Sequence, residues 1–282
     1  MATLPFRIVN VFTCDGGSLT GNPLCVFENG AGLTGETMQG LARQFNLSET
    51  TFILPSVVAE ARVRIFTPSY EMPFAGHPTL GTAHICRALG LGGNALRLEM
   101  PAGIVPVDAE GDRWTLTAPP ATWREVGAPQ RTLAVALGLQ ESDIGDRPLW
   151  VKAGKEQLIV PLRSLDAVQR AAPTAEALAA IPSEDGIGMA YVFADNGAGR
   201  TLARFFFQQG GVMLEDPATG SATANFGGWC LAMRQPLPLH YEIAQGRMIS
   251  RPSTLFLDVA IDQQIRVSGD VLDIAAGTVT LK

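Results

Sequence analysis

Stretches of apolar residues rich in Val, Ile and Phe alternate along this chain with breaks that contain glycine or proline. Short apolar runs bounded by such turn residues are typical of β-strands. In the first half of the chain they predict strands at residues 6–12, 24–27, 52–54, 63–67 and 114–117. In the second half they predict strands at residues 149–151, 157–160, 189–193, 202–207 and 255–261.

Three longer segments carry apolar residues at helical spacing. Residues 34–47 place four of them on one face behind Thr34, a residue type that caps helix N-termini. Residues 79–89 and 221–233 each follow a strand and a glycine-bearing loop, which predicts two further helices. Short helices are predicted near Leu133, Leu165 and Ala175. Many strands with few helices predict an α+β fold.

The order strand, loop, Gly- and Thr-rich turn, helix occurs twice, which predicts an internal repeat. A shift of about 140 positions lays Arg64 on Arg204, Phe66 on Phe206 and Thr79 on Thr219. Chance is the alternative, since basic and aromatic residues are common in strands. The proline- and alanine-rich residues 118–129 predict a linker, because extended conformations before proline interrupt regular structure. The predicted halves are therefore residues 1–118 and 128–269.

Composition narrows the classes of protein that the chain can represent. With 46% apolar residues in a length of 282, it can bury a substantial core. Charged residues make up 17% and the net charge is -6, so nucleic acid is not an expected partner. No apolar run reaches the roughly 18 residues of a membrane span, and four scattered cysteines predict reduced thiols. We therefore expect no membrane partner and a cytoplasmic location.

Two Gly- and Thr-rich passages precede predicted helices and are candidates for ligand binding. One contains Gly76 and Thr79, and the other contains Thr219, Gly220 and Ser221. Backbone N–H groups at a helix start have no partner within the helix and attract anions. The alternative is that the glycines only allow a tight turn. If both starts face one cleft between the halves, they suit a substrate carboxylate or a developing oxyanion.

Three polar side chains are candidates for proton transfer. His77 lies between Gly76 and Pro78, where a polar ring has no evident packing role. Glu49 stands between a helix and a strand, where partial burial would raise the pKa of its carboxyl and suit it to acid/base chemistry. Asp216 opens the second turn. The alternatives are a solvated loop residue for Glu49 and a helix cap for Asp216. No His or Cys spacing predicts a metal site.

Four passages together resemble the PhzF-like (phenazine biosynthesis F-type) family. They are GNP at 21–23, LSET at 47–50, FTP with GHPTLG at 66–81, and DPATGSA at 216–222. The resemblance implies a diaminopimelate epimerase-like fold: two pseudo-symmetric halves, each a curved mixed sheet around a central helix, with a strand near residues 270–282 completing the first half. It also implies a homodimer and a ligand cleft between the halves.

The resemblance further implies a role for each candidate residue. Glu49 inherits the role of proton-transferring acid/base, and His77 and Asp216 inherit positioning or protonating roles. A second group of residues inherits substrate binding: Gly76, Thr79, Thr219, Gly220 and Ser221.

One departure from the wider fold class bears on mechanism. Epimerases and racemases of this architecture use a cysteine thiol from each half, whereas neither turn here contains cysteine. The resemblance thus favours an isomerase that moves a proton within a small carboxylate and needs no cofactor or metal. An amino-acid racemase or epimerase, and a non-catalytic binding protein of the same fold, are the alternatives.

Overall fold

The computed structural model describes residues 2–281 and has the α+β architecture that the sequence predicts. The strands are β1 (Ala2–Val11), β2 (Asn22–Phe27), β3 (Glu49–Leu54), β4 (Ala61–Phe66), β5 (Glu71–Met72), β6 (Ala95–Met100), β7 (Gly103–Glu110), β8 (Arg113–Thr117), β9 (Thr122–Glu125), β10 (Leu149–Lys152), β11 (Glu156–Pro161), β12 (Met189–Asp195), β13 (Arg200–Gln209), β14 (Val212–Asp216), β15 (Leu239–Gln245), β16 (Ser253–Val259) and β17 (Ile265–Leu281). The helices are α1 (Gly35–Phe45), α2 (Gly76–Ala88), α3 (Gln130–Ala136), α4 (Leu165–Arg170), α5 (Ala175–Ala179) and α6 (Gly220–Ala232).

The chain divides into two units. The first comprises Met1–Leu116 with Ser268–Lys282, and the second comprises Thr117–Val267. Among residues 2–281, no helix is long and apolar enough to span a membrane.

In the first unit, a mixed sheet closes around helix α2. Strand β1 pairs antiparallel with β17 and β2, β2 runs parallel to β3, and β3 pairs antiparallel with β4. The sheet continues through β6, β7 and β8, and β8 pairs with β17 to complete the ring. Ten of the thirteen residues of α2 are buried, because strands surround it on several sides. Such a helix is apolar around its whole circumference.

Helix α1 packs against the same unit as an amphipathic helix, as its sequence predicts. Met38, Leu41 and Ala42 form its buried face. At its start, Thr34 Oγ1 accepts a hydrogen bond of 3.1 Å from the Thr37 N–H. At its end, Asn46 adopts a left-handed conformation that turns the chain towards β3.

In the second unit, another mixed sheet packs against helix α6. Strands β9, β10 and β11 pair antiparallel in turn, β11 runs parallel to β12, and β12 pairs antiparallel with β13. Strand β13 then pairs with β14 and β15 along one edge, as β4 does with β5 and β6. Ten of the thirteen residues of α6 are buried. The two units therefore share one topology.

The strand registers confirm the predicted repeat at a shift of 140. Thr50 pairs with Phe66 in the first unit, and Ala190 pairs with Phe206 in the second. An arginine stacks on each of these phenylalanines, with its guanidinium carbon 5.0 Å from the ring centre in the first unit and 4.6 Å in the second. Each arginine also forms an ion pair with a glutamate of the next strand.

The helices correspond at a different shift, so the pairing of Thr79 with Thr219 is wrong. Helix α2 begins at Gly76 and α6 at Gly220, which is a shift of 144. The hairpin between β13 and β14 is longer than the turn between β4 and β5 and accounts for the difference. Thr79 is the fourth residue of its helix, whereas Thr219 precedes its helix and corresponds to Ala75.

The predicted linker also differs from the structure. Within residues 118–129, Thr122–Glu125 form the exposed strand β9 and pair with β10. Pairing to a neighbouring strand decides its conformation, since the proline-rich sequence on either side contains no strand signal of its own.

The repeated ion pair allows a test of what burial contributes to stability. Arg204 and Glu215 have side chains that are 10% and 7% exposed, and Arg204 also donates to three backbone carbonyls. We expect Arg204→Met to lower the free energy of unfolding by about 3–5 kcal/mol, because it leaves a buried carboxylate without its charge partner. Urea unfolding measures the loss.

The corresponding pair in the first unit is the matched control. Arg64 and Glu71 have side chains that are 22% and 33% exposed. Because water screens this pair, Arg64→Met is expected to cost about 1 kcal/mol. Equal losses for the two variants would contradict the prediction.

Candidate active site

Glu49 is held at the point where helix α1 hands over to strand β3. The left-handed Asn46 ends α1, and Glu49 is the first residue of β3, beside Leu24 of the parallel strand β2. Its side chain is 16% exposed, so the carboxylate is largely but not completely removed from water. The charge of Glu49 also contributes to the raised pKa of Tyr70, after burial of the phenol itself.

His77 is the second residue of α2, and its ring lies against the Glu49 carboxylate. His77 Nδ1 is 3.4 Å from Glu49 Oε2, and the imidazole side chain is 7% exposed. Burial lowers the pKa of His77 to about 3, although a hydrogen bond with the Pro23 backbone acts in the opposite direction. At neutral pH the ring is therefore uncharged. It is placed to donate or accept a hydrogen bond rather than to form an ion pair.

The start of α2 offers backbone donors beside this pair. Within residues 2–281, no acceptor is found for the N–H groups of Gly76 and His77, and Pro78 has no N–H. The predicted helix began at residue 79, but it begins at Gly76 because Gly, His and Pro are all compatible with a first helical turn. His77 is therefore part of the helix and not of a preceding loop.

Thr79 does not point its hydroxyl towards a ligand. It is buried, and its Oγ1 donates to the Ala75 carbonyl at 2.7 Å inside the helix. The structure thus gives Thr79 a helix-stabilising contact in place of the substrate contact that we expected.

At the start of α6, Asp216 and Thr219 are tied together by a buried glutamine. Thr219 Oγ1 donates to Asp216 Oδ2 at 2.5 Å and accepts from Gln245 Nε2 at 3.0 Å. The Thr219 N–H donates to Gln245 Oε1 at 3.2 Å. The hydroxyl proton and the N–H of Thr219 are both used within the protein. Thr219 therefore orients Asp216, and it has no donor left for a ligand.

Two residues of α6 do keep their donors. Across the described part of the chain, the N–H groups of Gly220 and Ser221 have no acceptor, and the Ser221 hydroxyl accepts from Gln157 Nε2 at 3.0 Å without donating to any protein group. Free N–H groups and a hydroxyl proton at a helix N-terminus form a site for an anion.

Sequence reasoning did not identify Gln245. The only signal is that it opens the passage QGRMISRPS, which continued the family resemblance. Gly246, the next residue, has a positive φ of 74° and passes so close to Pro217 and Arg251 that a Cβ would collide with their backbone oxygens. This glycine allows the loop to bring Gln245 under the turn at Asp216.

The two units do not provide the same chemistry. The strand registers place Met189, which is buried, at the position of Glu49. The residues before the two helices are Ala75 and Thr219, neither of which is a cysteine. Glu49 therefore has no acidic counterpart in the second unit.

The cysteines of the helices do not supply a base either. Cys86 and Cys230 occupy corresponding positions in α2 and α6 and are buried, and burial raises the pKa of each thiol to about 12. No group of three or more His, Cys, Asp or Glu side chains in residues 2–281 is arranged to hold a metal ion.

The other two histidines have structural partners, as the sequence suggested. His84 Nε2 lies 3.1 Å from Asp273 Oδ2, and its Nδ1 is bonded by the Trp114 indole. His240 is exposed and pairs with Asp258.

Two units of one topology, each a curved mixed sheet packed around a buried helix, define the diaminopimelate epimerase-like fold class. Consistent with this, a hydroxyproline epimerase from Agrobacterium vitis superimposes with a TM-score of 0.67 at 13% identity, covering 99% of this chain and 93% of that one. Such a low identity shows the fold alone.

Comparison at the level of sequence identifies the family. The model of the PhzC-PhzF family, described as phenazine biosynthesis-like protein, matches residues 9–277. The chain therefore belongs to the PhzC-PhzF family, as its motifs indicated. A PhzF-family protein from Bacillus anthracis superimposes with a TM-score of 0.87 at 25% identity, and the match covers all of both chains.

Two relatives carry the name of isomerase. A trans-2,3-dihydro-3-hydroxyanthranilate isomerase from Pseudomonas aeruginosa is 38% identical over 259 residues, covering 89% of this chain and 88% of the relative. An uncharacterised isomerase from Pasteurella multocida is 38% identical over 280 residues, covering 96% and 92%. These matches place the chain among the PhzF-family isomerases.

The burial of His77 predicts a ring that stays neutral in mild acid. We expect the Cε1–H signal of His77 in NMR spectra to keep its position between pH 8 and pH 5, with the exposed His240 as a reference in the same spectra. His77→Gln assigns the signal. A midpoint above pH 5 for His77 would contradict the prediction.

The same burial should make the stability of the protein depend on pH. Between about pH 6.5 and 3, the unfolded chain takes up a proton that the folded imidazole does not. The free energy of unfolding should therefore fall as the pH is lowered through this range, by up to about 1.4 kcal/mol per pH unit, and His77→Gln should remove that part of the slope.

Proposed function

We propose that this protein is a cofactor-independent isomerase that moves a proton within a small unsaturated carboxylate, with Glu49 as the acid/base. The observation that carries the proposal is the pair formed by Glu49 and the neutral His77, 3.4 Å apart at the start of a helix with free N–H groups. Such a site has a base, a hydrogen-bonding partner for that base, and donors for a developing negative charge.

In the proposed reaction, the Glu49 carboxylate removes a proton from one carbon of the substrate. The electron pair of the broken C–H bond enters the adjacent unsaturated system, and the neighbouring double bond moves. The carboxylic acid formed on Glu49 then returns the proton to another carbon of the same molecule. No atom or electron is gained or lost overall, so the reaction is an isomerisation.

The surroundings of Glu49 suit both halves of this cycle. A charged imidazolium would stabilise the carboxylate and weaken it as a base, whereas a neutral ring orients it at less cost to its basicity. Hydrogen bonds to the substrate carboxylate or to a dienolate-like charge come, in this proposal, from Gly76, Gly220 and Ser221. Asp216, fixed by Thr219, takes a positioning or protonating role.

Met189 supports a mechanism with one base in place of two. Racemisation by two bases needs a second group that can accept a proton, and an apolar side chain stands at the position corresponding to Glu49. Two buried thiols with raised pKa values are poor substitutes. These features favour the isomerase over the amino-acid racemase or epimerase.

The first substrate to test is trans-2,3-dihydro-3-hydroxyanthranilate, because it is named in a relative that is 38% identical over most of the chain. It has the chemistry that the proposal requires, namely a carboxylate on a partly unsaturated ring with C–H groups next to the double bonds.

Glu49→Gln tests the proposal directly. Turnover followed by ultraviolet absorbance should fall by at least about 10²-fold, since the amide cannot accept the proton, while the KM should change little. Glu36→Gln, which makes the same change at an exposed position of α1, is the matched control. Full activity in Glu49→Gln would refute the assigned role. Wild-type protein that binds the compound without converting it would refute this substrate.

Solvent exchange gives a second line of evidence. In D₂O, the product should carry deuterium at the carbon that receives the proton, to the extent that Glu49 exchanges with solvent before returning it. Deuterium at an α-carbon in both enantiomers of an amino acid would favour the racemase instead.

We extend the proposal to a homodimer, which rests on the family resemblance. Sedimentation equilibrium should give about twice the chain mass of 29.9 kDa. A single species at the chain mass over the micromolar range would contradict it.

A further inference from the structure

A chain of buried amides runs beneath the start of helix α6. Asn225 Oδ1 accepts from the Ala153 N–H at 2.6 Å. Asn225 Nδ2 donates to the Lys155 carbonyl at 2.9 Å and to Gln157 Oε1 at 2.7 Å. Gln157 Nε2 then donates to Ser221 Oγ at 3.0 Å. Both amide side chains are buried.

Backbone groups determine the direction of every hydrogen bond in this chain. An N–H can only donate and a carbonyl can only accept, so Ala153 and Lys155 permit a single orientation of the Asn225 amide. Asn225 therefore presents a donor to Gln157, which must turn its oxygen towards Asn225 and its nitrogen towards Ser221. The Ser221 oxygen is left as an acceptor on the protein side.

From this polarity we infer that Gln157 and Asn225 are positioning residues that hold Ser221 as a hydrogen-bond donor to the substrate carboxylate. A hydroxyl has one proton, and the Gln157 contact does not use it. In the part of the chain that the structure describes, the Ser221 hydroxyl donates to no other group. Its proton is thus available on the side away from Gln157, beside the free N–H groups of the helix. The inference rests on the proposed substrate-binding role of Ser221.

The first unit shows that the fold does not require this amide chain. Gly81 is the sixth residue of α2, as Asn225 is of α6, and Pro23 is the second residue of β2, as Gln157 is of β11. A side chain at Gly81 would collide with the apolar side chains that surround it, the nearest of which belongs to Leu24. The same helix and strand therefore pack in the first unit without buried amides.

Gln157→Glu tests the inference by reversing the polarity. One carboxylate oxygen still accepts from Asn225, and the other now accepts the Ser221 proton, which turns the hydroxyl inward. We expect the Kd for anthranilate, measured by calorimetry, to rise by about 10-fold or more, as for the loss of a hydrogen bond to a charged group. Gln169→Glu, which adds the same charge at an exposed position, should retain the wild-type Kd.

A double-mutant cycle separates polarity from simple charge repulsion. Ser221→Ala removes the hydroxyl, so Gln157→Glu should weaken binding much less in that background than in the wild type. Equal weakening in both backgrounds would overturn the inference. If Gln157→Glu does not fold, Gln157→Met removes the donor without adding charge and should raise the Kd by about 3-fold, whereas an unchanged Kd would overturn the inference.

Binding is measured without turnover, so this test is independent of the reaction. Carboxylate binding that depends on Ser221 in a protein without isomerase activity would refute the proposed function and leave this inference intact. A wild-type protein that binds none of anthranilate, benzoate and succinate would overturn the inference. Where turnover is observed, Gln157→Met should raise KM more than it lowers kcat, which a general loss of structure would not do.

Discussion

The burial of a helix on nearly all sides is the constraint on which each unit depends. Helices α2 and α6 each bury ten of thirteen residues, so strands must surround them. A helix enclosed in this way can satisfy its backbone along its length but not at its first turn. The unpaired N–H groups of Gly76 and His77, and of Gly220 and Ser221, are the result. The anion-binding character of both helix starts is therefore a consequence of how the core is built.

The two units then use that shared framework for different chemistry. The first places a carboxylate and a neutral imidazole beside its helix start, and the second places a serine and a tethered aspartate there. His77 and Ser221 are each the second residue of their helices, so one position carries an imidazole in one unit and a hydroxyl in the other. Glu49 has Met189 as its counterpart. Duplication supplied the scaffold, and the substitutions at these few positions determine the chemistry.

The sequence was sufficient to predict most elements and the main candidates, because both depend on local patterns. Apolar runs between turn residues gave the strands, and Thr34 with the spacing behind it gave α1. Glu49 and His77 were singled out separately, from a junction and from a turn. Their approach to 3.4 Å depends on the pairing of β2 with β3 and on the place of α2 against them, which no local pattern contains.

The errors have the same origin. Thr79 and Thr219 look like ligand-binding residues in a glycine-rich turn, but the hydroxyl of each is used by a protein acceptor, Ala75 in one case and Asp216 in the other. Residues 122–125 form a strand only because β10 lies beside them. Gln157 and Gln245 were missed because a single glutamine in a sequence carries no signal. Their importance comes from partners that are 64 and 26 residues away.

The buried amides also explain how a site built from flexible side chains keeps one set of donors. A serine hydroxyl can rotate, and an amide can be reversed, with little change in shape. At the start of α6 these choices are removed, because Asn225 is bonded to a backbone N–H and a backbone carbonyl, and Gln245 is bonded to the Thr219 N–H and the Asp216 carbonyl. Fixed backbone dipoles thus set the direction of each hydrogen bond up to Ser221 and Asp216. Donors that are already oriented need no reorganisation when negative charge develops on a substrate, and this is the condition under which hydrogen bonds contribute most to catalysis.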